Sequence, residues 1–235
     1  MSKKIEYPEK YLFRCHNLAD LLTKSVDTES FKNCCIKAFL GYFQATDSFS
    51  SYDTERGLLL EKSAIEKSSI MHGIYFDPNQ INERVNNYEI GLSGVCEVVN
   101  TPHSINVDVK NPSTPESMLK VVMGDTVIKI YKAQMIGYSI LYPNIQNFAI
   151  DYHLQNTPDV MVDRMIAKAL NYNIPQWDID TEIEKIKNQH NFDRIPDHLK
   201  YKSFRFSRAE LANETDFIIE RIDLGQKWIK RNLEK

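Results

Sequence analysis

Gly94-Val95-Cys96-Glu97-Val98-Val99-Asn100-Thr101-Pro102-His103-Ser104-Ile105-Asn106-Val107-Asp108-Val109-Lys110 is the stretch where the chain changes from helical to strand periodicity. The runs 94–99 and 104–110 read as strands, and Asn100-Thr101-Pro102-His103 between them is turn sequence. A loop at 100–103 puts Val99 opposite Ser104. Opposed residues share a face and side chains alternate along each strand. Cys96, Val98, Ile105, Val107 and Val109 then form an apolar face, and Glu97, Asn106, Asp108 and Lys110 form the other. Two carboxylates and an ammonium on one side of an apolar-backed sheet suit a hard cation such as Mg²⁺. Such an ion takes one or two carboxylates and leaves the rest of its shell to water and phosphate. Lys110 beside it would orient water or offset phosphate charge. The plainer alternative is a solvated strand face on which Lys110 neutralises Glu97 and Asp108.

Outward from the hairpin, residues 17–45 read as two short helices, the second capped within Asp27-Thr28-Glu29-Ser30. A polar loop at 46–51 precedes a helix predicted from about Thr54 to Met71. Downstream, Asn111-Pro112 opens a loop-like stretch, Tyr131 to Tyr138 reads as a helix that Pro143 ends, and Phe148 to Leu154 reads as a further strand. The last third is predicted to be mainly helical, at about 159–171, 178–189 and 207–234. Helices flanking a small mixed sheet make an α/β (α+β) fold. The expected organisation is one domain over 1–235, with a core at about 54–155 and a helical C-terminal part at about 156–235.

Further pieces stand in order along the chain. Gly57 precedes Glu61 at helical i, i+4 spacing, Gly94 precedes Glu97, Asp108 precedes Lys110, and Gln134 and Tyr138 share a helical face. This series resembles the motifs of the PD-(D/E)xK nuclease superfamily, in its RecB-like and phage-exonuclease-like branch, over about 57–138. The resemblance implies a restriction-endonuclease-like core and a metal-dependent nuclease that hydrolyses DNA phosphodiester bonds. An exonuclease in recombination, repair or phage replication is the first expectation. A sequence-specific restriction-type endonuclease, or a catalytically inactive nucleic-acid-binding module of the same fold, are the alternatives. By that resemblance Glu61, Glu97 and Asp108 would ligate Mg²⁺ or Mn²⁺, and Lys110 would be the catalytic lysine acting with Asp108 and Glu97. Gln134 and Tyr138 would line the site and touch DNA backbone. Glu97 stands where Asp is usual, and Glu61 where this branch often has His. The implied partners are single- or double-stranded DNA and either further copies of the chain or a recombination partner protein. Iron–sulfur members of the branch carry three cysteines near the C-terminus; no cysteine follows Cys96, so no iron–sulfur cluster is expected.

Composition bounds the rest. Of the 235 residues 42% are hydrophobic and 26% charged, a globular balance. With Lys and Arg totalling 29 against 32 acids, the net charge of −3 excludes wholesale coating of nucleic acid and requires any contact with it to be local. No apolar run is long enough to span a membrane. The N-terminus shows no secretory h-region, and Cys15, Cys34, Cys35 and Cys96 lack metal or disulfide spacing, so buried thiols in a reducing, cytoplasmic setting are expected. His72, just past the third helix, reads either as a helix C-terminal partner or as a further ligand. No zinc motif, Gly-x-Ser-x-Gly elbow or Gly-rich phosphate loop is present. The segment His198 to Arg208 interleaves basic and aromatic residues, which makes Lys200, Lys202 and Arg205 candidate nucleic-acid contacts. An edge strand with core aromatics and solvated cations gives the same pattern.

Overall fold

The computed structural model describes residues 6–45, 51–124, 127–171 and 178–234; most of the polar loop at 46–51 lies outside them. In chain order the elements are β1 (Phe13–Arg14), a 3-10 turn at Cys15–Asn17, α1 (Leu18–Leu21), α2 (Glu29–Tyr42), α3 (Tyr52–His72), β2 (Val85–Asn87), β3 (Leu92–Gly94), β4 (Val98–Asn100) and β5 (Ile105–Lys110). There follow α4 (Pro115–Val122), α5 (Val127–Leu141), β6 (Asn147–His153), α6 (Asp159–Leu170), α7 (Ile179–His190), β7 (Tyr201–Ser207), α8 (Arg208–Ala212) and α9 (Thr215–Asn232). The strands form two small mixed sheets, β1-β3-β2 and β4-β5-β6-β7, with helices around them. In the second sheet β5 and β6 are parallel, while β4 and β7 are antiparallel to their neighbours.

The hairpin forms, with a shifted turn. Val98 faces Val107, Val99 faces Asn106 and Asn100 faces Ile105, so the loop is 101–104 instead of 100–103. Asn100 Oδ1 accepts the His103 N–H, and Ser104 takes a left-handed conformation at φ 52°. Together they close the turn one residue later on each side. The shift keeps every residue of β5 on its expected face. It also brings Glu97, one residue ahead of β4, level with Asp108 instead of Asn106. Cys96 departs from expectation: the chain leaves strand geometry before Val98, and Cys96 joins the other core.

Both faces of the second sheet are covered, which excludes the solvated-face reading: Asn106 and Asp108 are fully buried. On one face Ala64 and Ile65 of α3 pack on Val98, Ile105, Val107, Val109 and Ala149. On the other, α5 packs over Phe148, Ile150 and Tyr152. Gly137 lets α5 approach closely, since a Cβ there would stand 2.7 Å from Leu18 Cδ1 and 2.8 Å from Cys15 Sγ. α9 packs on α1, α2 and α5, so the main core draws on both ends of the described chain as well as on its middle.

The short strands β1, β2 and β3 were not expected, and after Pro112 three further points differ from the sequence expectation. The loop-like stretch after Pro112 contains α4, which Thr114 caps by accepting the Ser117 N–H, with Pro115 in the first turn where it is tolerated. The C-terminal part is not purely helical, because β7 lies in it. The helix predicted over 207–234 is two, broken at Asn213 and Glu214.

Candidate active site

The ladder between β4 and β5 ends at Val98 and Val107, so Asp108 to Lys110 have a strand neighbour, β6, on one side alone. Glu97 sits just where β4 has not yet begun. Lys110 Nζ stands 2.5 Å from Asp108 Oδ2 and 3.9 Å from Glu97 Oε1. Asp108 is sealed, while the Glu97 and Lys110 side chains are each 24% exposed, so the cluster opens to solvent through these two. Burial, then the neighbouring Asp108, holds the Glu97 carboxyl well above the usual carboxylate range, with Lys110 pulling the other way. Burial would lower the Lys110 ammonium, but Asp108 and Glu97 outweigh it and raise it.

Asp108 is oriented by α5. Gln134 Nε2 donates to Asp108 Oδ1 at 2.8 Å and to the Tyr138 hydroxyl at 2.9 Å, and that hydroxyl donates to the Val95 carbonyl at 2.6 Å. Gln134 is 4% and Tyr138 2% exposed. Their polar ends are engaged inside the protein, where they hold Asp108 and the Val95 carbonyl ahead of Glu97 in place.

Glu61 lies on α3 in one stripe with Asp53 and Gly57. Burial, followed by the opposed effects of Lys110 and Asp108, raises its carboxyl, which places it in the same electrostatic neighbourhood. Among the described residues, however, no three His, Cys, Asp or Glu side chains converge closely enough to hold a metal ion by themselves. Glu97 and Asp108 nevertheless suit a hard cation: Glu97 Oε2 is buried and receives no hydrogen bond, and two carboxylates share one position with Lys110 as their cation. Glu61 would complete such a site from farther out.

Sequence reasoning missed a cluster of cations beside this site. A cavity of about 700 Å³ is lined by Arg14, His16, Asn17, Lys37 and the first turn of α3 at Thr54. Burial, then Arg14, Lys110, Arg84 and Lys37, hold the His16 imidazole below its ordinary value, so four cations surround it. These residues come from β1, its following turn, α2 and the segment before β2, and no local spacing links them. The result is a local concentration of positive charge in a chain of net charge −3.

The remaining candidates separate. Lys202 is opposite Tyr152, which is opposite Lys110, so Lys202 shares the face and row of the site. Arg205 is opposite Ala149, on the α3 face. Lys200, just ahead of β7, pairs with Asp197 at 3.2 Å. Phe204 and Phe206 pack on the main core, so β7 is largely the edge strand of the plainer reading. His72 is buried on the α3 side and pairs with Asp151 at 2.9 Å, and Ser68 bonds His153 at 2.8 Å. This polar layer lies behind the sheet from Lys110, and His72 is the last residue of α3, at the helix C-terminus as the first reading has it. All four cysteines are free and buried, and burial raises each thiol. No described helix is long and apolar enough to cross a membrane.

No protein-family model matches the sequence, and no curated protein matches it. Solved structures do. A phage-related exonuclease from Haemophilus somnus 129PT superposes with a TM-score of 0.66 at 23% identity, over 97% of this chain and 96% of that one. An alkaline exonuclease, LHK-Exo, from Laribacter hongkongensis gives 0.57 at 16% identity, over 95% and 93%. The same enzyme solved in complex with dAMP matches equally. The sheet carrying Asp108 and Lys110, its flanking helices and nearly the whole described chain thus have the fold of the phage-related and alkaline exonucleases.

Proposed function

We propose that the protein is a metal-dependent nuclease that hydrolyses DNA phosphodiester bonds, acting as an exonuclease. The observation that carries this reading is the cluster of Glu97, Asp108 and Lys110 at an open strand edge, with Asp108 held by Gln134, beside a cationic cavity. The likeness of the whole chain to exonucleases supports it. Structural buried ion pairs seldom sit at a cavity mouth with one carboxylate oxygen unbonded; sites that handle charge do.

In this reading Arg14, His16 and Lys37 receive the phosphate backbone, and Lys202 extends the positive surface along the sheet. Glu97 and Asp108 would hold Mg²⁺ or Mn²⁺, with Glu61 as a further carboxylate toward it. A divalent cation so held would supply Lewis acidity to a phosphate oxygen and lower the pKa of a water. Gln134 keeps one Asp108 oxygen engaged so that the other faces Lys110. Lys110 holds its proton, offsets charge building on the phosphate and orients the nucleophile toward it. Catalysis by a conformationally fixed set of this kind is chiefly positioning and electrostatic stabilisation.

The test is cleavage of labelled single- and double-stranded DNA, linear and circular, with Mg²⁺, with Mn²⁺ and with chelator. Progressive loss of linear ends, none of circular DNA, and full suppression by chelator are expected. Cutting of circular DNA at defined positions would favour the restriction-type reading. Tight binding without any cutting would favour the inactive module.

A further inference from the structure

A second cavity, of about 330 Å³, is lined by Lys110, which does not line the cationic one. Successive residues of the first turn of α3 border the two: Asp53 lines the smaller and Thr54 the larger. We infer that the smaller cavity is a nucleoside site, which takes the base of a nucleotide adjoining the phosphate at Lys110 and stacks it on Tyr131. The inference rests on the nuclease reading and adds the part of the substrate that reading leaves unplaced.

The walls differ in chemistry from those of the larger cavity. There, Arg14 and Lys37 stand with His16 among apolar and neutral side chains, and no carboxylate lines the wall. Here Lys110 is the one cation among the lining residues, Asp53 contributes a carboxylate, and Tyr131, Tyr152 and Val121 supply rings and an apolar side chain. An anion would be opposed by Asp53, whereas a neutral base and sugar would not. The volume lies within the range of small-molecule pockets, roughly 300–1,000 Å³. Tyr131 is half-buried, its ring meets Tyr152 edge-on at 5.8 Å and 79°, and Lys110 Nζ lies 5.5 Å from its centroid. A ring fixed by an aromatic neighbour and a cation is a preorganised stacking platform. Tyr152 is 3% exposed, and its buried hydroxyl has no partner among the described residues. Ser117 is engaged in capping α4 by donating to the Thr114 carbonyl, while Ser113 and Asn111 also line the cavity. With stacking on Tyr131 as the main contact, the site reads the presence of a base more than its identity, which is how stacking platforms treat single strands.

The experiment uses oligonucleotides in which one nucleotide at a time, counted from the labelled end, is replaced by an abasic tetrahydrofuran unit. Single-turnover cleavage by the wild type is expected to slow about tenfold or more when the abasic unit adjoins the scissile phosphate, the size of one lost stacked base. Exchange among the four bases there should change the rate less than about threefold. Tyr131→Ala should slow the intact substrate to a similar degree and be indifferent to the abasic unit; Tyr131→Phe should retain the wild-type response. Because Tyr131 also contacts Lys110, a readout without chemistry accompanies it: 2-aminopurine at the same position, bound in the presence of chelator, should be quenched by the wild type and by Tyr131→Phe but not by Tyr131→Ala. Normal cutting with no abasic penalty at either neighbouring nucleotide, or quenching that survives in Tyr131→Ala, overturns the nucleoside site and leaves the nuclease reading intact. Failure of the wild type to cut or bind any of these oligonucleotides overturns both.

Discussion

Lys110 occupies, between Asp108 and Glu97, the place where a small cation would be held, and this makes its ammonium a competitor for the ion as well as a participant in the chemistry. Lys110→Met should therefore tighten Mn²⁺ binding severalfold by calorimetry while lowering cleavage; unchanged or weaker binding would show that the carboxylates do not share one site. Glu97 adds a proton to the same equilibrium. Burial and Asp108 raise its carboxyl above the usual carboxylate range, so Glu97 takes up a proton more readily than an ordinary carboxylate and an arriving cation competes with that proton. Cation affinity should then rise with pH, and calorimetry in buffers of different ionisation enthalpy should detect proton release. Gln134→Met keeps the volume but removes the donor to Asp108 Oδ1. A loss of about 1–3 kcal/mol is expected from the buried oxygen left unbonded, and a larger proportional loss in cleavage rate than in DNA affinity.

At the scale of elements, strand and helix periodicity placed the hairpin and the longer helices, whereas the exact turn, α4 and the short paired strands departed from expectation. The Glu97/Asp108/Lys110 face follows from strand alternation, which survives a turn shifted by one residue on each side because the shift is even in the pairing sum. The Gln134 to Tyr138 spacing put both on one face of α5, yet spacing could not tell that both would bond inward to Asp108 and Val95. α4 carried a legible signal, Thr114-Pro115-Glu116-Ser117, whereas the short β1 and β2 exist only through pairing with β3. Two glycines in helices separate packing from function. Gly137→Ala forces a Cβ to within 2.8 Å of neighbouring side chains and should destabilise by about 1–3 kcal/mol. Gly57 has nothing within 4 Å of the corresponding position, so Gly57→Ala should stabilise α3 by up to about 1 kcal/mol. Thermal melts of the two variants check both signs; a stabilised Gly57→Ala with impaired cleavage would show that the open space beside Glu61 is kept for substrate.

For the whole molecule, the fold gathers Arg14, Lys37 and Arg84 around His16 from separate segments, a local positive charge that in the proposed function would receive a polyanion despite the net charge of −3. Its effect should appear as a steep loss of DNA affinity with salt, reduced in slope by about one for Lys37→Ala. Behind the sheet, the buried polar layer sets a different dependence. Burial lowers the His153 imidazole to about 4, opposed by Asp151 and reinforced by Lys67 and His72. The folded state therefore refuses a proton that the unfolded chain accepts near pH 6.5. Stability should fall as the pH drops from about 6.5 toward 4, by an amount on the order of 3 kcal/mol for this group. His153→Gln should flatten that part of the melting profile, measured between pH 7 and 5; an unchanged slope would assign the loss to other groups.

The most direct measurement is the single-turnover cleavage of end-labelled linear DNA in Mn²⁺ by the wild type and by Lys110→Ala, with melting and DNA affinity determined on the same preparations. Loss of cleavage by about a hundredfold or more in the folded, DNA-binding variant is the expected result, in keeping with removal of one preorganised charge at a reacting phosphate. Cleavage by Lys110→Ala at the wild-type rate would contradict the assignment of the Glu97, Asp108 and Lys110 cluster as the active site.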